Sequence, residues 1–331
     1  MAEFLETIET SMQISAVVVG GIGTDITGLR LERLVGPGEL ELGGQLSIGA
    51  GGKSRNIAQM LSVLLGPSRV AMVGKTSQDP FQLWKVPVDA LANAGVNIDF
   101  IKTLPFEVCG KYPQVALIAV DQRGNNQIYV IPGINDDFSP NDIKDALPVF
   151  QIARKNSGLV VLSLELPLPT AVATIKTANR LGLRVLLDPG GINASQNNNL
   201  LFDEPLFLLK PNEHETFILT SIAVSDMDSA RRAAKEFHAR GVLNVLITLG
   251  EKGAYLSTDE LESPISIPAL HLPPTHDETG CGDQTMATFC ARLLNGDSLV
   301  ECANRAILAG TLQFHKLGIV PITTSELETY L

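Results

Sequence analysis

The sequence is poor in the features that would place it in several large functional classes. Of its 331 residues only 25 are basic against 36 acidic, a formal charge of −11, and no long basic block interrupts it. A nucleic-acid partner is thereby disfavoured, because such binding is driven by neutralising phosphates. The four cysteines contain no Cys-x-x-Cys pair and the five histidines are scattered, so reduced thiols and no structural zinc are expected. No apolar run approaches the ~18 residues of a membrane span, and the first twelve residues are acidic where a secretory signal would be basic. Neither internal repeats nor low-complexity segments are found. The expectation is a soluble cytoplasmic protein, and its 45% hydrophobic content suits a well-packed core.

Two nucleotide-binding signatures are also missing. Gly21 opens a Gly-x-Gly sequence after an apolar run, but the third glycine of a dinucleotide-binding turn would fall on Ile26. Gly52-Lys53-Ser54 and Gly74-Lys75-Thr76 look like the ends of P-loops, yet Ser47 and Arg69 stand where their first glycines should be. Any anionic nucleotide must therefore be held locally, by glycine backbone, a few lysines and Mg²⁺.

What is present is a phosphate-receiving turn. Asp277-Glu278-Thr279-Gly280-Cys281-Gly282-Asp283 runs into a segment where Met286, Phe289, Cys290, Leu293 and Leu294 recur at helical spacing, with Asn295-Gly296 as a stop. A helix start offers unpaired backbone N–H groups and the positive end of a dipole, and glycines let an anion approach them. A carboxylate there repels phosphate unless it takes the proton of the group that attacks the phosphate, which makes Asp283 a candidate general base for phosphoryl transfer to a hydroxyl. Taken alone, the stretch is equally a helix cap.

Residues 14–19 read as a strand buried on both faces. A glycine-rich turn, 49–56, opens a helix carrying Ile57, Leu61, Leu64 and Leu65 on one face and Asn56 on its first turn. Residues 26–48 and 97–131 alternate apolar with polar residues and are expected to pair as a small antiparallel sheet. Beyond Pro140, strands at 159–164, 184–187, 206–209 and 242–248 alternate with helices at 169–181 and 227–239. Such βα units specify an α/β fold with a mostly parallel central sheet and helices on both faces. The expected main domain is thus 14–25, 49–96 and 132–331, with 26–48 and 97–131 as the separate sheet. Ligands bind beyond the carboxyl ends of parallel strands, so Asp25, Glu165, Asp188, Asn212, Glu215, Thr248, Gly250 and Gly253 are expected on one rim beside Asp283.

Four of these features occur in a known order: Gly51-Gly52-Lys53 with Asn56, Asn212-x-x-Glu215, Thr248 to Ala254, and Asp277 to Asp283. On them the chain resembles the ribokinase-like (PfkB) carbohydrate kinases over about residues 14–321. The resemblance implies ATP-dependent phosphorylation of a sugar or sugar-like hydroxyl, with Asp283 as base and the backbone of Gly280, Cys281 and Gly282 as anion hole. It implies that Asp25, Gly52, Lys53, Asn56 and Glu165 hold the sugar, and that Asn212, Glu215, Thr248, Leu249, Gly250 and Gly253 contact the nucleotide, Glu215 reaching Mg²⁺ through water. Asp277 and Thr279 match positions that bind a monovalent cation in some members, which makes K⁺ a further implied cofactor. The small sheet resembles the family's lid, which often forms a homodimer contact. Three departures stand out: Gly23 replaces an asparagine that contacts sugar, Arg55 is more like some nucleoside or pseudouridine kinases, and Cys281 replaces alanine. A nucleoside kinase and a catalytically silent regulatory protein of the same fold are the alternative readings.

Overall fold

The computed structural model describes residues 13–259, 263–271 and 278–330. In chain order its strands are β1 (Ala16–Val19), β2 (Gly23–Leu31), β3 (Gln45–Gly51), β4 (Val70–Gln78), β5 (Ile101–Pro105), β6 (Gln114–Asp121), β7 (Asn126–Ile131), β8 (Leu159–Ser163), β9 (Arg184–Asp188), β10 (Leu206–Leu209), β11 (Val242–Thr248), β12 (Ala254–Thr258) and β13 (Ile265–Ile267). Nine of them form one sheet in the order β13-β12-β11-β10-β9-β8-β1-β4-β5. It is parallel from β11 to β5, while β12 and β13 extend it antiparallel at one edge.

β1 sits where the chain reverses its direction of travel across the sheet. It pairs with β4 on one side and β8 on the other, and its four residues are fully buried because both sheet faces are covered. Val17 and Val19 belong to the buried cluster on one face that also holds Phe150, Ile175 and Phe237 of helices Leu147–Lys155, Leu168–Arg180 and Met227–Ala239. Ala16 and Val18 belong to the cluster on the other face, with Ile57, Leu61, Phe289 and Ile307 of helices Lys53–Leu65, Cys281–Leu294 and Leu299–Phe314. The crevice between the loops that leave β1 and β8 is the topological switch point, where α/β sheets bind ligands.

The second sheet has the order β3-β2-β6-β7. Its two outer pairings are antiparallel, and the two halves are joined by a parallel β2·β6 pair. Residues 101–105, expected from the sequence in this smaller sheet, instead pair parallel with β4 as the edge strand of the main one. An edge strand is half-exposed, and its alternation reads the same as that of a small separate sheet. No helix among the described residues is long and apolar enough to cross a membrane.

The second P-loop look-alike lies inside β4, which explains why it is not one. Lys75 is buried, donating to the Asp137 carbonyl at 2.8 Å and to Asp142 Oδ2 at 3.2 Å. Asp142 also pairs with Lys102 at 2.7 Å and accepts from the Ser139 N–H and hydroxyl, capping helix Pro140–Asp145. Burial alone would raise its carboxyl, but Lys102, Ser139 and Lys75 together push it down to about 2. A carboxyl held below its ordinary value stabilises the fold above that value and stops doing so as the pH falls through the shifted one. Asp142→Asn should therefore cost about 2 kcal/mol at neutral pH in urea unfolding, and the difference from the parent should shrink as the pH falls from about 4 towards 2.

Candidate active site

The first P-loop look-alike is a structural pin at the switch point. Ser54, second residue of helix Lys53–Leu65, donates to the Val19 carbonyl at 2.8 Å, lies 2.8 Å from Ser163 Oγ and accepts the Ser163 N–H at 3.2 Å. It thus ties the helix start to the ends of β1 and β8. Gly20 makes this possible, since a Cβ there would lie 2.3 Å from Ser54 Oγ. The pinned helix presents Lys53 and Asn56 to the crevice.

Asp283 meets them from the first turn of helix Cys281–Leu294. Its Oδ2 accepts from Asn56 Nδ2 at 2.7 Å, and its Oδ1 lies 4.0 Å from Lys53 Nζ. That Oδ1 is buried and has no hydrogen-bond partner among the described residues. Glu165, just beyond β8, accepts the Lys53 N–H at 2.8 Å. Arg55 is fully buried: it donates to the Ala50 carbonyl at 2.6 Å, to that of Gly51 at 3.3 Å, and to Gln59 and Asn56 Oδ1, so it orients the asparagine that orients the base. Asp25 enters from β2. Gly51 and Gly52 leave room for this approach, because a Cβ on Gly51 would lie 2.0 Å from Asp25 Oδ1 and one on Gly52, at φ +95°, 2.7 Å from the Gly21 carbonyl.

A second charged layer lies behind the helix start. Lys210, after β10, pairs with Asp188 at 2.9 Å, both buried, and its Nζ lies 3.6 Å from where a Cβ on Gly282 would be. The first backward helical bond joins the Gln284 N–H to the Gly280 carbonyl, so the preceding N–H groups have no acceptor of that kind. Cys281 is half-buried and its N–H reaches the Glu278 carbonyl at 3.3 Å. Gly280 adopts φ +77°, with Ile319 Cδ1 2.7 Å from its notional Cβ, so neither the conformation nor the space admits a side chain.

Five carboxylates, Asp25, Glu165, Asp188, Glu215 and Asp283, share this region with Lys53, Arg55 and Lys210. Burial raises the Asp283 carboxyl above its ordinary value; Lys53 and Asn56 oppose this and Asp188 adds to it. Burial likewise raises Glu165, Asp25 and Glu215. Asp283 foremost holds Lys53 protonated well above the ordinary lysine value. Burial would lower Lys210, but Asp188 and Glu215 overcome it and raise it. Arg55 falls to about 10 through burial, with Asp25 opposing.

Asn212 and Glu215 form a reciprocal cap on helix Glu213–Thr220: Asn212 Oδ1 accepts the Glu215 N–H at 2.8 Å, and Glu215 Oε2 accepts the Asn212 N–H at 2.9 Å. Asn212 also bridges Thr248, the last residue of β11. Leu249 to Gly253 close a tight turn by a 2.8 Å bond between the Leu249 N–H and the Gly253 carbonyl, with positive φ at Gly250 and Gly253. Asp277 lies outside the described residues; the Thr279 carbonyl accepts from Gln313. No group of three or more His, Cys, Asp or Glu side chains is placed to hold a metal ion among the described residues.

Two functional candidates escaped the sequence reading. Lys210 directly precedes the Pro211-Asn212 pair, and a basic residue at a strand end was the signal available. Gln114, at the start of β6, carried none. A Cβ on Gly23 would lie 2.9 Å from Gln114 Cγ and 3.1 Å from its Nε2, so this amide fills the space beside the glycine. Gln114 also accepts from Asn135 Nδ2 and hydrogen-bonds Glu165. Beyond it a cavity of about 620 Å³ opens, lined by Gln114, Asn135, Glu165, Asn193, Gln196 and Asn198 among others.

Over residues 13–323 the chain matches the pfkB family carbohydrate kinases. A ribokinase of Arabidopsis thaliana is 30% identical over 307 residues, which cover 92% of this chain and 77% of that protein. A ribokinase of Haemophilus influenzae is 29% identical over 324 residues, 96% and 98% of the two chains. A deoxyribokinase of Salmonella typhimurium is 30% identical over 261 residues, 79% and 80%. The solved structure of Arabidopsis thaliana ribokinase complexed with ribose and ATP superposes with a TM-score of 0.83 at 28% identity, covering 96% of this chain and 98% of that one.

The packing of Gly51 against Asp25 is open to a direct test. Gly51→Ala would put a methyl group on the Asp25 carboxylate and should lower the thermal unfolding midpoint by about 2 °C or more.

Proposed function

The chain belongs to the pfkB family of carbohydrate kinases, and from that premise we propose that it transfers the γ-phosphoryl group of ATP to a hydroxyl of a small sugar, with Asp283 as the base. The observation that carries this reading is the Asp283 carboxylate, with one oxygen held by Asn56 and the other buried without a protein partner among the described residues. Oδ1 accepts the proton of the sugar hydroxyl. The freed oxygen attacks the γ-phosphorus as the bond to the bridging oxygen of ADP breaks. Backbone N–H groups at Gly280 to Gly282 receive the charge on the transferring group, and Lys210, beside Gly282, adds a full positive charge. Asp25, Gly52, Lys53, Asn56 and Glu165 hold the sugar hydroxyls, with Gln114 in the space beside Gly23. Asn212, Thr248, Leu249, Gly250 and Gly253 take the nucleotide.

Mg²⁺ keeps most of its water and needs one or two carboxylates besides the phosphates. The donors present fit that habit: Glu215 Oε2 is engaged by the Asn212 N–H, leaving Oε1 to reach the ion through water. The ion supplies neutralisation of phosphate charge.

Arg55 favoured a nucleoside acceptor when only the sequence was considered. It is buried and spent on Asn56, Gln59 and two backbone carbonyls, so it gives that reading no support. A silent regulatory protein would have no use for an unsatisfied buried carboxylate oxygen, which is costly to maintain.

The small sheet is proposed as a lid and as the contact with a second copy of the chain. The pairing registers put Ile26, Leu46, Ile48, Leu117 and Tyr129 on the face opposite Asp25, and Leu46, Ile48, Leu117 and Tyr129 are 73%, 51%, 42% and 65% exposed. An apolar outer face of this kind is a self-association surface. Leu117→Asp should convert a dimer into a monomer in light scattering; a monomeric parent would remove the proposal.

Activity is tested by ADP release with Mg-ATP against ribose, 2-deoxyribose, other free sugars and nucleosides. Asp283→Asn should bind nucleotide normally and lose about 10³-fold or more in kcat; near-parental turnover would take the base role from it. Since the proton-accepting form is the carboxylate and burial raises its pKa, kcat/KM should fall with decreasing pH at a point above the ordinary aspartate value of about 3.9. An acid limb at or below that value would contradict the raised Asp283.

A further inference from the structure

We infer that the acceptor is longer than a five-carbon sugar: its end remote from Asp283 carries an uncharged polar group, and that group lodges in the cavity behind Gln114 and Glu165. The inference rests on the kinase reading for the chemistry at Asp283 and adds a second binding subsite to it. The cavity lies on the rim where such sheets bind ligands, because its lining comes largely from the segments that follow β8 and β9, at residues 164–168 and 191–198. Glu165 belongs to both compartments, since it lines the cavity and also accepts the Lys53 N–H at the acceptor site. The volume of about 620 Å³ falls in the range of about 300–1,000 Å³ that holds ligands larger than a pentose.

The chemistry of the lining selects the occupant. Besides Gln114, four amides line the cavity, Asn135, Asn193, Gln196 and Asn198. An amide both donates and accepts, as do the hydroxyls of a polyol and the N–H and C=O groups of a neutral heterocycle. The charged residues of the lining are Asp136 and Glu165, and no lysine, arginine or histidine is among them. A phosphate or carboxylate would meet only like charge there. Leu166, Leu168 and Ile192, half-buried against the core, add apolar surface for a ring or a carbon chain.

The inner wall is fixed by hydrogen bonds. Gln114 accepts from Asn135 Nδ2 and hydrogen-bonds Glu165, and both amide residues are buried. With Nδ2 so committed, Asn135 Oδ1 is left without a partner among the described residues. A buried acceptor in that state is costly, and a donor brought by a ligand, directly or through one water, relieves it. The outer wall is held by its own loop: Asn193 Oδ1 accepts the Ser195 N–H at 2.9 Å and the Ser195 hydroxyl at 2.7 Å, and the Asn193 carbonyl accepts from Asn198 Nδ2 at 2.9 Å. Gln196, on the same loop, is exposed and lies outside the groups assigned to the sugar.

The test compares D-ribose with three ribosides: 1-O-ribosylglycerol, uridine and 5-carboxyuridine. With Mg-ATP, at least one neutral riboside should exceed ribose about tenfold in kcat/KM. A polyol as the natural extension favours ribosylglycerol, and a heterocycle favours uridine. 5-Carboxyuridine should fall about tenfold below uridine. Gln196→Lys should narrow that last gap about threefold, the effect of one exposed charge, and leave ribose unchanged. Calorimetry in the presence of a non-hydrolysable ATP analogue should give the same order of affinities without turnover. Ribose equal to or better than both neutral ribosides, a carboxylated base bound as well as the neutral one, or a Gln196→Lys protein indifferent to ligand charge overturns the inference. If no acceptor turns over, the kinase reading falls, and the calorimetric order alone decides whether the cavity is the subsite.

Discussion

The site depends on keeping one carboxylate buried and only half satisfied. A fully hydrated Asp283 would be a weak base, and a fully hydrogen-bonded one would be weaker still, because each donor stabilises the charged form. The fold gives it one neutral donor, Asn56, and one cation at the limit of contact, Lys53. Those residues hold their places because Ser54 pins their helix to two strand ends and Arg55 fixes the asparagine. Removing a carboxylate from water without full compensation costs several kcal/mol. The surrounding structure over-determines the arrangement: the packing of Gly20, Gly51, Gly52 and Gly280 leaves little freedom for the turns to relax.

The second constraint is charge. Five carboxylates crowd a region with three cations, inside a chain that is itself strongly acidic. The Asp188–Lys210 pair shows how the fold manages this, since Asp188, with Glu215 nearby, supplies the counter-charge of the buried lysine beside Gly282. Asp188 keeps Lys210 protonated and oriented. A buried pair of this kind contributes little to stability on its own, and its placement at the helix start is better explained by function.

Much of this was legible in the sequence. Apolar runs at β1, β8, β9 and β10, and at β11 with only Asn244 breaking it, identify buried strands, and from their alternation with helices the carboxyl-end rim follows by geometry. The motif residues Lys53, Asn56, Glu165, Asn212, Glu215 and Asp283 do lie together on that rim. The edge strand β5 was misplaced because half-burial erases the difference between an edge and a separate sheet. The β2·β6 parallel pair joins segments separated by a crossover, and pairing across such a distance leaves no local trace. Gln114 and Lys210 act through neighbours supplied by other elements.

Asp25 is carried by the smaller sheet, whereas Asp283, the proposed base, starts a helix packed on the larger one. A molecule that satisfies both must span the two bodies, and a sugar can do so with separate hydroxyls. Under the proposed reading, the division of the acceptor site between two elements of different sheets would favour a ligand that carries several hydroxyls over one that carries a single hydroxyl.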